Sequence, residues 1–399
     1  FEMAPAAGGR ARSLEPEADG TRLDNGQHIL IGAYRRTLAL MADVGADADA
    51  LLLRQPLELR YPDGAGLRLP AGPAWLVFGA GVARATGWSG RDKLALVAAA
   101  ARWLLAGFRC APGLTVDTLC RALPPAVRQR LIDPLCVAAL NTPATAASAA
   151  VFLRVLRDSL FAGPGSSDLL LPRAPLAALL PEPALAWLRG HGAELRLGQR
   201  CGALQREAGG WQLDGQAFDA VVLAASAAES ARLARPHAAA WAERAAGFAY
   251  EPIVTVVMQA PGWRLPVAMM ALQDGPQAPA QFVFDHGALG GPQGQFAWVV
   301  SGAAPWVAQG LDATAAAVQA QAAAALGPLG WPTAARVRRS VAEKRATFRC
   351  VPGLDRPPAQ VAPGLWAAGD YLEGPYPATL EGAVRSGEAA ARAIGRPAR

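Results

Sequence analysis

The chain has 399 residues, 52% of them hydrophobic and 18% charged, with a formal charge of +6. That length exceeds one ordinary core, and the composition excludes a disordered chain. Only Lys93 and Lys344 are lysines among 38 basic residues, and no basic run is interleaved with aromatics, which argues against a nucleic-acid partner.

In chain order, "FEMAPAAGGRARS" (residues 1–13) opens as the tail of a strand ending in an acid, Glu2. A carboxylate at such a strand end accepts hydrogen bonds from a ribose hydroxyl in dinucleotide folds. Gly8, Gly9 and Arg10 follow, letting backbone approach a ligand and offering a guanidinium to phosphate. "LDNGQH" (23–28) reads as a tight turn at Gly26 carrying polar Asp24 and His28. "LELRYPDGAGLRLP" (57–70) alternates around Asp63-Gly64 and predicts a hairpin. "LVFGAGVARATG" (76–87) has Gly79 and Gly81 in a G-x-G pair, but Arg84 stands at the third glycine position. It reads as a connecting loop, not a phosphate cradle.

The apolar run 94–108 is broken by Arg102 and is too short to cross a bilayer, for which about 20 residues are needed. It predicts a buried helix, with a helix lying on a membrane surface as the alternative. Further helices are predicted over 91–107, 125–140, 144–160, 227–233, 313–326 and 379–394. Strands are predicted over 192–198, 202–226 and, in three runs, 252–302. Cys110, Cys120, Cys136, Cys201 and Cys350 form no CxxC pair, and the four histidines lack metal spacing. A metal site is therefore not expected, and free thiols suit the cytoplasm.

"LWAAGDYLEGPYPATLEGAVRSGEAAARAI" (365–394) is the most specific stretch. A short apolar strand runs into Gly369-Asp370, a Pro-bounded loop follows, and Thr379 opens a helix bearing Gly382, Ala383, Ser386 and Gly387. An Asp at a strand end can hold ligand hydroxyls, and a helix N-terminus beside it presents free N–H groups.

Together, E…GGR, DNGQH and the AGD segment resemble the FAD-dependent amine oxidase and carotenoid desaturase superfamily. "LCVAALNTP" (135–143), "SSDLLLPRAPLAALLPEPA" (166–184) and "EKRATF" (343–348) extend the likeness to its squalene-associated FAD-dependent desaturases, whose members act as hydroxysqualene dehydroxylases. The resemblance implies an α/β fold: a Rossmann-like FAD-binding domain over 1–45, 185–240 and 345–399, and an α+β substrate domain over 46–184 and 241–344. Family members carry a strand, a GxGxxG loop and a helix before the position of Glu2. About 30 further residues are therefore expected upstream, and flavin binding without them is expected to be weak.

For the cofactor, FAD, the resemblance places Glu2 on the ribose and Gly9 and Arg10 along the phosphates. Gly26 and Gln27 fall near the ring, and Cys201 meets the adenine through its main chain. Gly369 and Asp370 lie on the ribityl chain, with Thr379 and Leu380 at the helix start facing the ring. A proton donor is required for dehydroxylation, and Glu373, His28, Tyr371 and Tyr376 lie in segments expected near the flavin. Trp306 and Phe348 are expected to pack in the core. The implied substrate is a lipophilic C30 isoprenoid. That leaves room for peripheral attachment of a cytoplasmic protein at the inner membrane and for association with prenyl synthases of the squalene pathway. Rival readings are a squalene or carotenoid desaturase, an amine oxidase, and a non-catalytic prenyl-lipid carrier.

Overall fold

The computed structural model describes residues 1–16, 20–70, 72 and 74–395. Short apolar runs bounded by turn residues become strands in three sheets that carry the site. β1 (Leu30–Ile31), β2 (Leu52–Gln55) and β3 (Leu169–Pro172) form an antiparallel sheet with β3 central. β4 (Val221–Leu223) belongs to a sheet completed late in the chain. β5 (Tyr250–Gln259), β6 (Met269–Ala271), β7 (Phe282–Asp285), β8 (Gln295–Val300) and β9 (Arg336–Phe348) make a five-stranded antiparallel sheet in the order β6-β7-β8-β5-β9. β10 (Gln360–Ala362) pairs with β11 (Leu365–Ala367), and β11 lies parallel to β4, so the strand leading into Gly369-Asp370 is anchored on Val221–Leu223.

Register decides what each face of the large sheet does. Val257 lies opposite Ala297 and Thr255 opposite Val299, so these residues share a face. The other face, with Val254, Val256, Met258, Phe296 and Trp298, packs under a helix bearing Val318, Ala322 and Leu326, where Trp263 and Trp331 complete an aromatic cluster. Trp306 packs against this core, and Phe348 is buried beside Phe248.

Helices α1 (Arg35–Asp43), α2 (Gly90–Leu105) and α3 (Leu380–Ile394) matter below. A helix leaves its first amides unpaired. At α1 the amides of Arg36 and Thr37 donate to the buried carboxylate of Glu381 on α3, at 3.2 and 2.9 Å. The Thr37 hydroxyl and Arg385 Nε add bonds of 2.9 and 2.7 Å to the same group.

The hairpin predicted around Asp63-Gly64 forms, with Glu58–Arg60 paired to Gly66–Arg68. Residues 74–84, read from sequence as a connecting loop, are helical: Gly81 packs so closely on the hairpin that a Cβ would stand 2.6 Å from Leu69 Cδ2. The helix expected from 144 starts at Ala149, because Asn141 turns left-handed (φ 44°) and Ser148 supplies the cap. Residues 192–198 are not a regular strand. Their backbone nonetheless bonds the first residues: Glu2 N–H donates to the Arg196 carbonyl (2.8 Å) and Gly198 N–H to that of Ala4 (3.0 Å). Among the described residues no helix is long and apolar enough to cross a membrane.

Candidate functional site

Four segments distant in sequence converge beside the large sheet: 8–10, 24–28, 343–346 and 369–382. Arg10 joins two of them, donating from Nη2 to Asp370 Oδ1 (2.6 Å) and from Nη1 to the Ala346 carbonyl (2.8 Å). Asp370 is buried, and its second carboxylate oxygen has no partner among the described residues. Asn25 Nδ2 donates to Glu343 Oε2 on β9 (2.8 Å), pinning the 24–28 loop to the sheet. His28 Nδ1 bonds the Gly26 carbonyl at 3.1 Å, and burial lowers this imidazole's pKa.

Glycine is used here for access. Gly9 has φ +57°, and a Cβ on Gly9 or Gly26 would meet nothing within 4 Å, so the backbone there borders open space. At Gly382 the reason is the opposite: a Cβ would lie 2.0 Å from the Tyr376 carbonyl oxygen, so only glycine lets the start of α3 press against the preceding loop. Thr379 caps α3 by accepting from Gly382 N (3.0 Å). The first two amides, of Leu380 and Glu381, carry no bond among the described residues. Gly369 N donates to Ser386 Oγ (2.8 Å).

The remaining candidates are spread out. Glu2 is half-buried, with Oε1 accepting from Ala4 N at 2.7 Å. The Cys201 carbonyl accepts from Arg232 Nη2, and burial raises the pKa of its thiol. Tyr371 is packed edge-on to Trp241 and Phe248. Tyr376 donates to Asp158 Oδ2 (2.9 Å) beneath the Arg154 and Arg385 guanidinium groups. Glu373 is exposed.

A cavity of about 250 Å³ opens between the 21–27 loop, residues 172–175 and the Thr255 face of the sheet. Gln27 lines it, while Glu373, His28, Tyr371 and Tyr376 do not. Asp24 also lines it. Burial raises its pKa, while hydrogen bonds to Oδ1 from Ser13 Oγ (2.6 Å) and Leu176 N (3.0 Å) pull the other way. Its Oδ2 has no partner among the described residues. Thr21, Arg22, Arg173, Thr255, His286 and Gln295 are further polar residues of the lining, and no sequence motif marks the last three. Among the described residues no cluster of side chains is fit to hold a metal.

The sequence pattern of flavin containing amine oxidoreductases matches residues 1–395. A hydroxysqualene dehydroxylase of Rhodopseudomonas palustris is 28% identical, with 98% of this chain and 90% of that relative covered. Among solved structures, an oxidoreductase from Methanosarcina mazei superposes with a TM-score of 0.71 at 15% identity, covering 98% of this chain and 93% of that one. Putrescine oxidase bound to putrescine gives 0.67 at 16% identity, covering 99% and 93%. At such identities the solved structures speak for the fold.

Proposed function

Since the chain belongs to the flavin containing amine oxidoreductases, an enzyme family with FAD as cofactor and this α/β fold, we propose that it removes the hydroxyl of hydroxysqualene reductively to give squalene. The observation that carries this reading is the 28% identity, across 98% of the chain, to a protein of that activity.

The donor set fits a flavin nucleotide. It combines a buried carboxylate with a free oxygen, an arginine fixed beside it, open backbone at Gly9 and Gly26, and two free helix amides. In our reading Glu2 takes the ribose, Gly9 and Arg10 the phosphates, and Cys201 the adenine by its main chain. Gly369 and Asp370 take the ribityl hydroxyls, and Gly26, Gln27, Thr379 and Leu380 border the ring. Residues 1–45, 185–240 and 345–399 then form the cofactor domain, the rest the substrate domain. Bound and reduced, the flavin supplies a hydride. The chain must hold the allylic alcohol in a dry cavity and protonate its oxygen so that it departs as water. We assign that proton to Asp24, which lines the cavity and whose pKa burial raises.

The test is anaerobic incubation of the reduced holoprotein with hydroxysqualene, with squalene as the expected product. Asp24→Asn keeps an acceptor for Ser13 and Leu176 but loses the acidic proton. It should slow turnover by on the order of 10²- to 10⁴-fold while leaving the fold intact. Hydroxysqualene recovered unchanged, with squalene or a carotenoid oxidised instead, would replace this reading with desaturation.

A C30 substrate resides in lipid, and α2 offers a docking face. Leu94 and Leu105 are 70% and 88% exposed, with Val97 and Leu104 beside them in sequence, although a helix in water normally turns such residues inward. Arg84, Arg91, Arg102 and Arg109, on or flanking α2, make no ion pair among the described residues. We assign this face to an anionic bilayer surface. The chain should sediment with phosphatidylglycerol vesicles, and less so in high salt. Leu94→Ser combined with Leu105→Ser should abolish sedimentation without lowering Tm; equal sedimentation of that variant would remove the assignment.

A further inference from the structure

Arg356 is half-buried, yet it makes no ion pair among the described residues. Asp355, beside it in sequence, pairs with Arg244 at 3.2 Å, and the side chain of Glu373 is exposed. Burial lowers the pKa of the guanidinium, but an arginine stays charged. Taking such a charge out of water without an opposite charge is unfavourable and calls for a compensating interaction. Arg356 finds it in two main-chain carbonyls. Nη1 donates to that of Leu372 (2.6 Å) and Nη2 to that of Gly374. One planar fork therefore bridges two carbonyls of the loop that runs from Asp370 to Thr379.

The base from which Arg356 reaches is itself fixed. The Pro357 carbonyl accepts from Glu373 N (3.0 Å), that of Pro358 from Trp241 Nε1 (2.8 Å), and that of Ala359 from Ala367 N (2.7 Å) at the end of β11. Further along, the loop is tied by Tyr376 to Asp158, and the N–H of Ala378 donates to the main-chain carbonyl of Asp370 at 3.1 Å. Ala378 is left-handed, with φ 55°, a conformation that alanine holds only where its surroundings impose it. A slackened loop would relax out of it. The fixed relation between the Asp370 carboxylate and the first amides of α3 would go with it.

We propose that Arg356 is a positioning residue for the cofactor. It clamps the 370–379 loop so that Asp370 and the start of α3 are already in place when a flavin nucleotide binds. It acts through the carbonyls of Leu372 and Gly374, not by contact with the ligand. A loop ordered beforehand binds more tightly, because its ordering precedes the binding step. The inference rests on the reading of Asp370 as a cofactor ligand.

The experiment titrates the apoprotein with FAD, followed by flavin fluorescence at a temperature where circular dichroism shows each variant folded. Arg356→Met keeps an unbranched stem and removes both donors. FAD should then bind about tenfold to a hundredfold more weakly. Arg356→Lys keeps the charge but has no fork to bridge two carbonyls, so the affinity should fall between methionine and the parent. A merely structural arginine would lower Tm and leave the affinity of the folded form unchanged. Unchanged affinity in folded Arg356→Met therefore overturns the proposal. Should methionine prevent folding, Arg356→Lys decides, and an affinity equal to the parent's overturns it. Asp370→Ala is titrated alongside. If that variant binds FAD as the parent does, the reading of Asp370 fails. If it binds weakly while the Arg356 variants bind as the parent does, only the clamp fails.

Discussion

Asp370→Ala should bind FAD on the order of 10 to 100 times more weakly than the parent chain, the loss expected for one or two charge-assisted hydrogen bonds. The side chain sits where β11 ends against β4, so the backbone position is fixed by the sheet and not by the ligand. One carboxylate oxygen is occupied by Arg10, and the other, which has no partner among the described residues, is where our proposal puts the ribityl hydroxyls. Alanine removes both: the ligand loses its acceptor, and Arg10 keeps only the Ala346 carbonyl. Asp370→Asn should fall between the two, because an amide still bonds hydroxyls but pairs poorly with a guanidinium. Titration by flavin fluorescence, with Tm measured on the same samples, separates a lost ligand contact from a lost fold. If Asp370→Ala binds as tightly as the parent, this carboxylate is a helix-approach residue and no more.

The second large effect concerns stability. Glu381→Ala should cost about 3–5 kcal/mol, the range for removing one member of a buried, hydrogen-bonded charge pair. The carboxylate is fully buried and accepts from the amides of Arg36 and Thr37, the Thr37 hydroxyl and Arg385. Its removal leaves the start of α1 with unpaired amides in a water-free site. That is a large part of the roughly 5–15 kcal/mol that holds a typical domain together. Glu381→Gln keeps an acceptor and should cost less. Urea denaturation followed by circular dichroism reads both. A loss below 1 kcal/mol for alanine would mean that water replaces the carboxylate.

The amine-oxidase-like α/β fold was legible because its signature segments are local. Strand, Gly369-Asp370, loop and small-residue helix follow each other within 30 residues, and an Asp-Gly pair announces its own hairpin. What was illegible depends on register or packing. Thr255 and Gln295 share the cavity because Val257 pairs with Ala297 and Gln259 with Gln295, and no local pattern encodes that pairing. β9, "RVRRSVAEKRATF", is a 13-residue strand whose charges look like a solvated helix; it is the outer strand of its sheet, where charge is tolerated. Gly79 and Gly81 looked like a broken nucleotide loop, while the hairpin packed against Gly81 explains the glycine there. Asp24 was visible as a polar turn residue, but its burial was not.

The bond network on Glu381 also has a consequence in time. A ribosome delivers residue 37 long before residue 381, so α1 leaves the exit tunnel with its first amides exposed and must wait for a partner some 340 positions later. Until then the nascent segment has only water to satisfy it. The contact between α1 and α3 therefore forms after most of the chain has been translated, whereas the large sheet, drawn from residues 250–348, can close earlier. Translation stalled after residue 348 has emerged but before residue 381 would release a chain with a finished sheet and an α1 still without its partner, a natural substrate for chaperones and proteases.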